Sequence, residues 1–150
     1  MPAMTELRGT DLGTTKVKIE HGPVRVFAAA VKDKDPQYAD ADAVVPPTFP
    51  FSWGFWGTIE GRTGGLPIDK LRGKGRMILH GEQEFIYYRH PRVGDVLNGH
   101  TTISDVYEKQ TSSALMEFYV QETSWTDAAS GDPVCDVKFT LIIRDTNVTA

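Results

Sequence analysis

Two aspartates, a proline and a phenol stand together in Asp33-Lys34-Asp35-Pro36-Gln37-Tyr38. A carboxylate can orient water for attack, and a phenol can donate a hydrogen bond. With an ordinary pKa near 10, however, the phenol is a poor base at neutral pH. The set offers an acceptor in Asp33 and a donor in Tyr38, without a base suited to neutral pH. The same residues also suit a structural part, since Asp33 and Asp35 can close a helix and form an Asx turn before Pro36. A calcium loop over Asp33, Asp35, Asp40 and Asp42 fails where glycine is needed, at Tyr38, and where glutamate is needed, at Val44.

Other groups invite weighing. Lys70, Arg72, Lys74 and Arg76 recur at alternate positions, with Arg89 and Arg92 further on; such cations can hold phosphate oxygens or simply be solvated surface. His80 reads as a hydrogen-bonded structural histidine, His90 and His100 as turn or strand-surface residues. Neither these histidines nor Cys135 has zinc-ligand spacing, so no metal is expected. Phe49, Phe51, Trp53, Phe55 and Trp56 suit a core or a seam, and Phe49 and Trp53 also suit the wall of an apolar pocket.

The elements that must position these groups follow from periodicity. Residues 14–20 alternate at period two, as a strand does, and His21-Gly22-Pro23 breaks the run. Pro23 suits a first helical position, and Val24, Phe27, Ala28 and Val31 follow at helical spacing. The helix should end near Lys32 and deliver the Asp33 loop. Residues 51–60 are apolar nearly all round, as a helix enclosed by other elements would be, and residues 61–67 read as a loop. Four strand-like runs follow, at 77–88, 96–107, 112–125 and 133–144, rich in β-branched and aromatic residues and separated by turn signals. They read as a meander. The class is α+β, a helix packed on an antiparallel sheet.

A chain of 150 residues suits one domain, read as a flexible segment over 1–13 and a folded unit over 14–150. Sixteen basic against twenty acidic residues give a formal charge of −4, which argues against a nucleic-acid footprint. The single cysteine, Cys135, sits in a strand-like run and reads as a small core residue. No apolar stretch approaches the roughly 18 residues of a membrane span, and the first residues lack a signal-peptide pattern. A cytoplasmic location is expected.

The segment from Phe27 to Tyr38 resembles the loop of the MaoC-like hydratases and dehydratases, whose signature runs Asp-x-Asn-Pro-x-His. Asp33 and Pro36 match, Asp35 stands where Asn is usual, and Tyr38 replaces the histidine. Pro46-Pro47-Thr48-Phe49, Leu79-His80-Gly81-Glu82-Gln83-Glu84-Phe85 and Arg89-His90-Pro91-Arg92-Val93-Gly94-Asp95-Val96-Leu97 are similar to the amino-terminal, fatty-acid-synthase-type dehydratase branch of that superfamily.

The resemblance implies a hot-dog fold, a curved antiparallel sheet wrapped around a central helix, acting on thioesters of coenzyme A or acyl carrier protein without a cofactor. It implies a degenerate catalytic pair, Asp33 and Tyr38, facing an acyl-thioester cleft near Pro47 to Phe49. Asp35, Pro47, Thr48, Phe49 and Trp53 would contact substrate, and Arg72 and Arg76 the phosphates. It further implies a structural half that pairs, as homodimer or heterodimer, with a homologous subunit carrying intact Asp and His. Gln83 to Tyr87 would lie in the seam. Two alternatives are a thioesterase, for which Glu60 is the nearest acid to the apolar helix, and a non-enzymatic acyl-thioester-binding or assembly protein.

Overall fold

The computed structural model describes residues 3–61 and 65–148. A 3₁₀ turn at Thr5–Leu7 leads into strand β1, Asp11–Lys18, and helix α1, His21–Ala30. Turns at Pro36–Ala39 and Phe49–Phe51 then precede helix α2, Trp53–Gly57, strand β2, Thr58–Gly61, and helix α3, Ile68–Leu71. The chain finishes with four long strands, β3 at Arg76–Tyr87, β4 at Val96–Gln110, β5 at Leu115–Asp127 and β6 at Pro133–Asp145. The first strand thus starts three residues before the alternation does, and the long strands fall close to where it places them. Arg62, Thr63 and Gly64 of the expected loop, and Met1 and Pro2 of the expected flexible segment, lie outside the described residues.

All six strands form one sheet in the order β2-β1-β4-β5-β6-β3, each neighbouring pair antiparallel. Only β4, β5 and β6 are a meander. β3, expected to pair with β4, instead crosses to the far side of β6 and becomes an edge, because its ladder runs along β6 from Arg76↔Asp145 to Tyr87↔Cys135 while the β3–β4 link carries the chain past its sequence neighbour.

 Eleven residue pairs make up that ladder. The link from Tyr88 to Asp95 spans the end of the sheet, held there by backbone bonds from Val45 N–H to the Pro91 carbonyl, Val93 N–H to Ala43 and Gly94 N–H to Ile19. Gln83 to Tyr87, read as part of a seam, lies on the uncovered edge.

Two apolar clusters lie along the inner face of the sheet. The first joins α1 and the turns after it to β1, β4, β5 and β6, through Val17, Val24, Phe49, Trp53, Trp125 and Cys135. The second joins Ala3, Leu71, Ile103, Tyr119 and Ile143, with Met4 and Leu7 packed against it. Burying one large apolar side chain contributes about 1.5–3 kcal/mol, so these clusters dominate the stability of the sheet. Cys135 is fully buried opposite Tyr87 and Trp125, and burial pushes its thiol up to about 12.

The central helix departs from expectation. It has five residues, with Trp53 and Gly57 buried while Phe55 is 79% and Trp56 61% exposed. Residues four apart share one face of a helix, so Trp53 and Gly57 meet the sheet and the two aromatic residues between them turn away. A side chain at Gly57 would place its Cβ 2.2 Å from the Lys18 carbonyl oxygen, so glycine is what lets α2 rest on β1. Gly99 performs the matching task on β4: it sits opposite Trp125, and a Cβ there would stand 2.7 Å from the indole ring.

Candidate functional site

The Asp33 loop is built by the end of α1. Lys32 takes a left-handed backbone, φ 59°, which turns the chain back so that the Asp33 N–H donates to the Ala28 carbonyl at 2.9 Å. Asp33 Oδ1 then accepts from the Asp35 N–H at 3.1 Å, and Asp35 Oδ1 from the Gln37 N–H at 2.9 Å, two successive Asx turns that start the Pro36–Ala39 turn. That turn buries Tyr38 beneath the loop, and its phenol donates to Asp33 Oδ2 at 2.9 Å. The Tyr38 carbonyl can only accept, so the His21 Nε2–H donates to it, at 3.0 Å.

Both Asp33 oxygens are therefore engaged inside the loop. Burial, reinforced by the Asp33 carboxylate, raises the Tyr38 phenol above its ordinary value, so it stays a neutral donor. Asp35 serves as the cap of the following turn. The arrangement can present a carboxylate edge to solvent, with a neutral phenol beside it.

The other candidates divide between two places. Phe49 is buried edge-on to Phe27, with ring centroids 5.4 Å apart, in the same cluster as Tyr38. Pro47 and Thr48 are exposed, and the Pro47 carbonyl accepts from the Tyr87 hydroxyl. Trp53 lies edge-on to Trp125 at 5.1 Å, its indole N–H buried without a hydrogen-bond partner among the described residues. Trp53 and Trp125 also wall a cavity of about 500 Å³ between α2 and the inner face of the sheet. Asp33, Asp35, Tyr38, Pro47, Thr48 and Phe49 do not line it. Of the residues expected to contact substrate, Trp53 lines this cavity, which shares Trp125 and Val137 with the first cluster as well, while Phe49 is packed into the core.

The expected phosphate cations are likewise separated. Arg72 is exposed at the end of α3. Arg76 points inward instead: its guanidinium lies 2.8 Å from Glu117 and 2.5 Å from Asp145, both carboxylates enclosed. Strand alternation turns Arg76 to the face that Ile78 shares, where two acids await it, so it is not free to hold a phosphate. Burial alone would raise the Asp145 carboxyl, but the Asn147 N–H and the Arg76 guanidinium hold it below the usual carboxylate range. Arg89 pairs with Asp95 at 2.6 Å and Asp127 at 2.9 Å.

His80, expected to be hydrogen-bonded, makes ring contacts instead, with centroids 4.5 Å from Phe139 and 5.0 Å from Phe51, because on the β3 edge its imidazole lies among aromatic side chains and meets no hydrogen-bond partner among the described residues. His100 bonds Asp11 at 3.0 Å. The polar residues of the cavity were missed by sequence reasoning. Thr15, Thr101, Thr123 and Gln121 line it beside Phe51, Phe55, Val137 and Phe139. Their signal was the period-two placement of Gln121 and Thr123 in step with Tyr119 and Trp125, polar groups on an inward face.

Comparison with known proteins places this geometry. A UPF0336 protein of Thermobifida fusca is 34% identical over 101 residues, which are 61% of this chain and 60% of that one. The match therefore spans less than two thirds of that relative's length. The truncated HadBC (3R-hydroxyacyl-ACP dehydratase) complex of Mycobacterium tuberculosis superimposes with a TM-score of 0.67 at 21% identity, over 92% of this chain and 98% of that one. A MaoC-like dehydratase from Phytophthora capsici does so with 0.66 at 20% identity, over 96% of this chain and 50% of that one. At these identities the likeness is one of fold, the hot-dog fold of a curved antiparallel sheet packed on helix. Residues 6–137 match the family model of the FAS1-like dehydratase domain region, and with that match the chain belongs to this family.

Proposed function

We propose that this chain is the acyl-holding half of a two-subunit enoyl-thioester hydratase or 3-hydroxyacyl-thioester dehydratase. The observation that carries the reading is the separation of the two places: a loop in which Tyr38 ties up Asp33 and stands where the family's base would be, and an apolar cavity that the loop does not line. Water addition needs a base for the water, an acid for the α-carbon and donors for the enolate oxygen. This chain supplies a carboxylate and a neutral phenol, and a positioned acid/base group is typically worth roughly 10²–10⁴ in rate. The cavity falls within the roughly 300–1,000 Å³ usual for small-molecule sites, so an acyl chain fits it.

The chemistry then falls to a homologous subunit with intact Asp and His. Such a partner has a landing place in β3, an edge strand bonded to β6 on one side and with no strand beside it on the other among the described residues. The HadBC structure, whose fold this chain shares, is itself a complex. A coenzyme A or acyl-carrier-protein thioester is the substrate on this reading, with Arg72 among the exposed cations available to its phosphates. The thioesterase reading is weaker, because Glu60 is held by Lys16 at 2.7 Å on β2 and does not line the cavity.

The test is to incubate the chain with crotonyl and longer enoyl thioesters, first alone and then with a candidate partner subunit. Hydration only in the mixture is the expected result. Thioester cleavage by the chain alone, or full hydratase activity without a partner, overturns the proposal.

A further inference from the structure

The cavity is not uniformly apolar, and an uncommitted amide on its wall, beside the unpartnered Trp53 indole N–H, points to the kind of acyl chain it takes. Thr101 and Thr123 bond each other through their hydroxyls at 2.7 Å, and the Thr15 hydroxyl donates to the Glu60 carbonyl at 3.3 Å. The Gln121 amide has no hydrogen bond to any described residue. It is half-buried, and it stands in register between Ile103 on β4 and Phe139 on β6, an amide set into an apolar row. Aromatic walls at Trp53, Trp125 and Phe51 enclose the same space.

A saturated hydrocarbon lying against this face would strip water from the amide and give nothing back. A chain with an oxygen at the right depth restores the lost hydrogen bonds: a hydroxyl can donate to Gln121 Oε1 or accept from Nε2, and a keto oxygen can accept from Nε2. Resting on the acyl-holding reading above, we infer that the cavity selects acyl chains carrying a hydroxyl or keto oxygen along their length, and that Gln121 is the residue that reads it. Sites built to hydrogen-bond a substrate oxygen discriminate against analogues that lack it far better than apolar pockets discriminate among hydrocarbons. Because Gln121 is only half-buried, the preference is set at about tenfold in affinity, or ~1.4 kcal/mol.

The experiment measures binding and not turnover. Dodecanoyl-coenzyme A and a set of dodecanoyl-coenzyme A thioesters with one mid-chain hydroxyl are titrated into the whole chain, read by the fluorescence of the indoles that wall the cavity, and repeated with Gln121→Leu. At least one hydroxylated probe should bind about tenfold more tightly than the plain chain. Gln121→Leu should remove that advantage while binding the plain chain at least as well. Equal binding of plain and hydroxylated probes, or a preference that survives Gln121→Leu, overturns the inference and leaves the acyl-holding reading intact. If no probe binds, the acyl-holding reading falls first, and the preference with it.

Discussion

The Tyr38 hydroxyl donates to Asp33 Oδ2 across 2.9 Å, so the phenol in the histidine's place closes the loop on its own carboxylate. A histidine there would leave a nitrogen able to take up a proton near neutral pH, which the phenol cannot do.

Restoring the histidine pattern should therefore raise the activity of the chain on its own. Tyr38→His with Asp35→Asn should raise crotonyl-thioester hydration by the roughly 10² or more that a positioned base contributes. Adding Asp33→Asn should abolish the gain. Tyr38→Phe should leave hydration at background and cost about 1 kcal/mol of stability, the ordinary net worth of one hydrogen bond. Stopped assays and urea midpoints read the two effects separately.

Arg76 bridges two enclosed carboxylates, Glu117 at 2.8 Å and Asp145 at 2.5 Å. Arg76→Met leaves two enclosed carboxylates without it and should cost about 3–5 kcal/mol, measured by urea unfolding.

The same site predicts an acid limit. The folded Asp145 carboxyl lies below its unfolded value, so its contribution is complete above an unfolded pKa of about 3.9 and is lost as pH falls through the folded one. Urea midpoints at decreasing pH should converge for the unaltered chain and Asp145→Asn only in that acid window. Parallel curves at every pH would count against the assignment.

Gly99 gives the Trp125 ring its place. Gly99→Ala should push the indole toward the cavity, cost about 1–3 kcal/mol through overpacking, and weaken binding of dodecanoyl-coenzyme A. Differential scanning calorimetry and the fluorescence titration together check it.

Ile86 is 48% exposed on the free edge strand. If a homologous subunit docks there, Ile86→Lys should weaken the pairing about tenfold, since an edge lysine opposes strand addition. Sedimentation of the mixture measures this.

Strand runs were legible because β-branched and aromatic residues alternate along them, and the four long strands fall within a few residues of that pattern. Their order was not. Alternation says which face a residue takes but not which neighbour its strand finds, so the crossing of β3 beyond β6 had no local mark. Composition misread α2 for a related reason: five apolar residues in a row look enclosed, whereas one helical turn can present only Trp53 and Gly57 to the sheet. Arg76 was taken for a surface cation because its enclosing acids lie 41 and 69 positions away, at Glu117 and Asp145, beyond any local pattern.

The enclosure of Cys135 gives the molecule an internal clock. Its sulfur lies within the ladders of β5, β6 and β3, and a thiol pushed up to about 12 holds almost no thiolate at neutral pH. An alkylating reagent reaches it only when those strands part. The rate of labelling in water thus counts openings of that end of the sheet, and a ligand lodged against Trp125, the neighbour of Cys135 across the ladder, should slow the count in proportion to its occupancy.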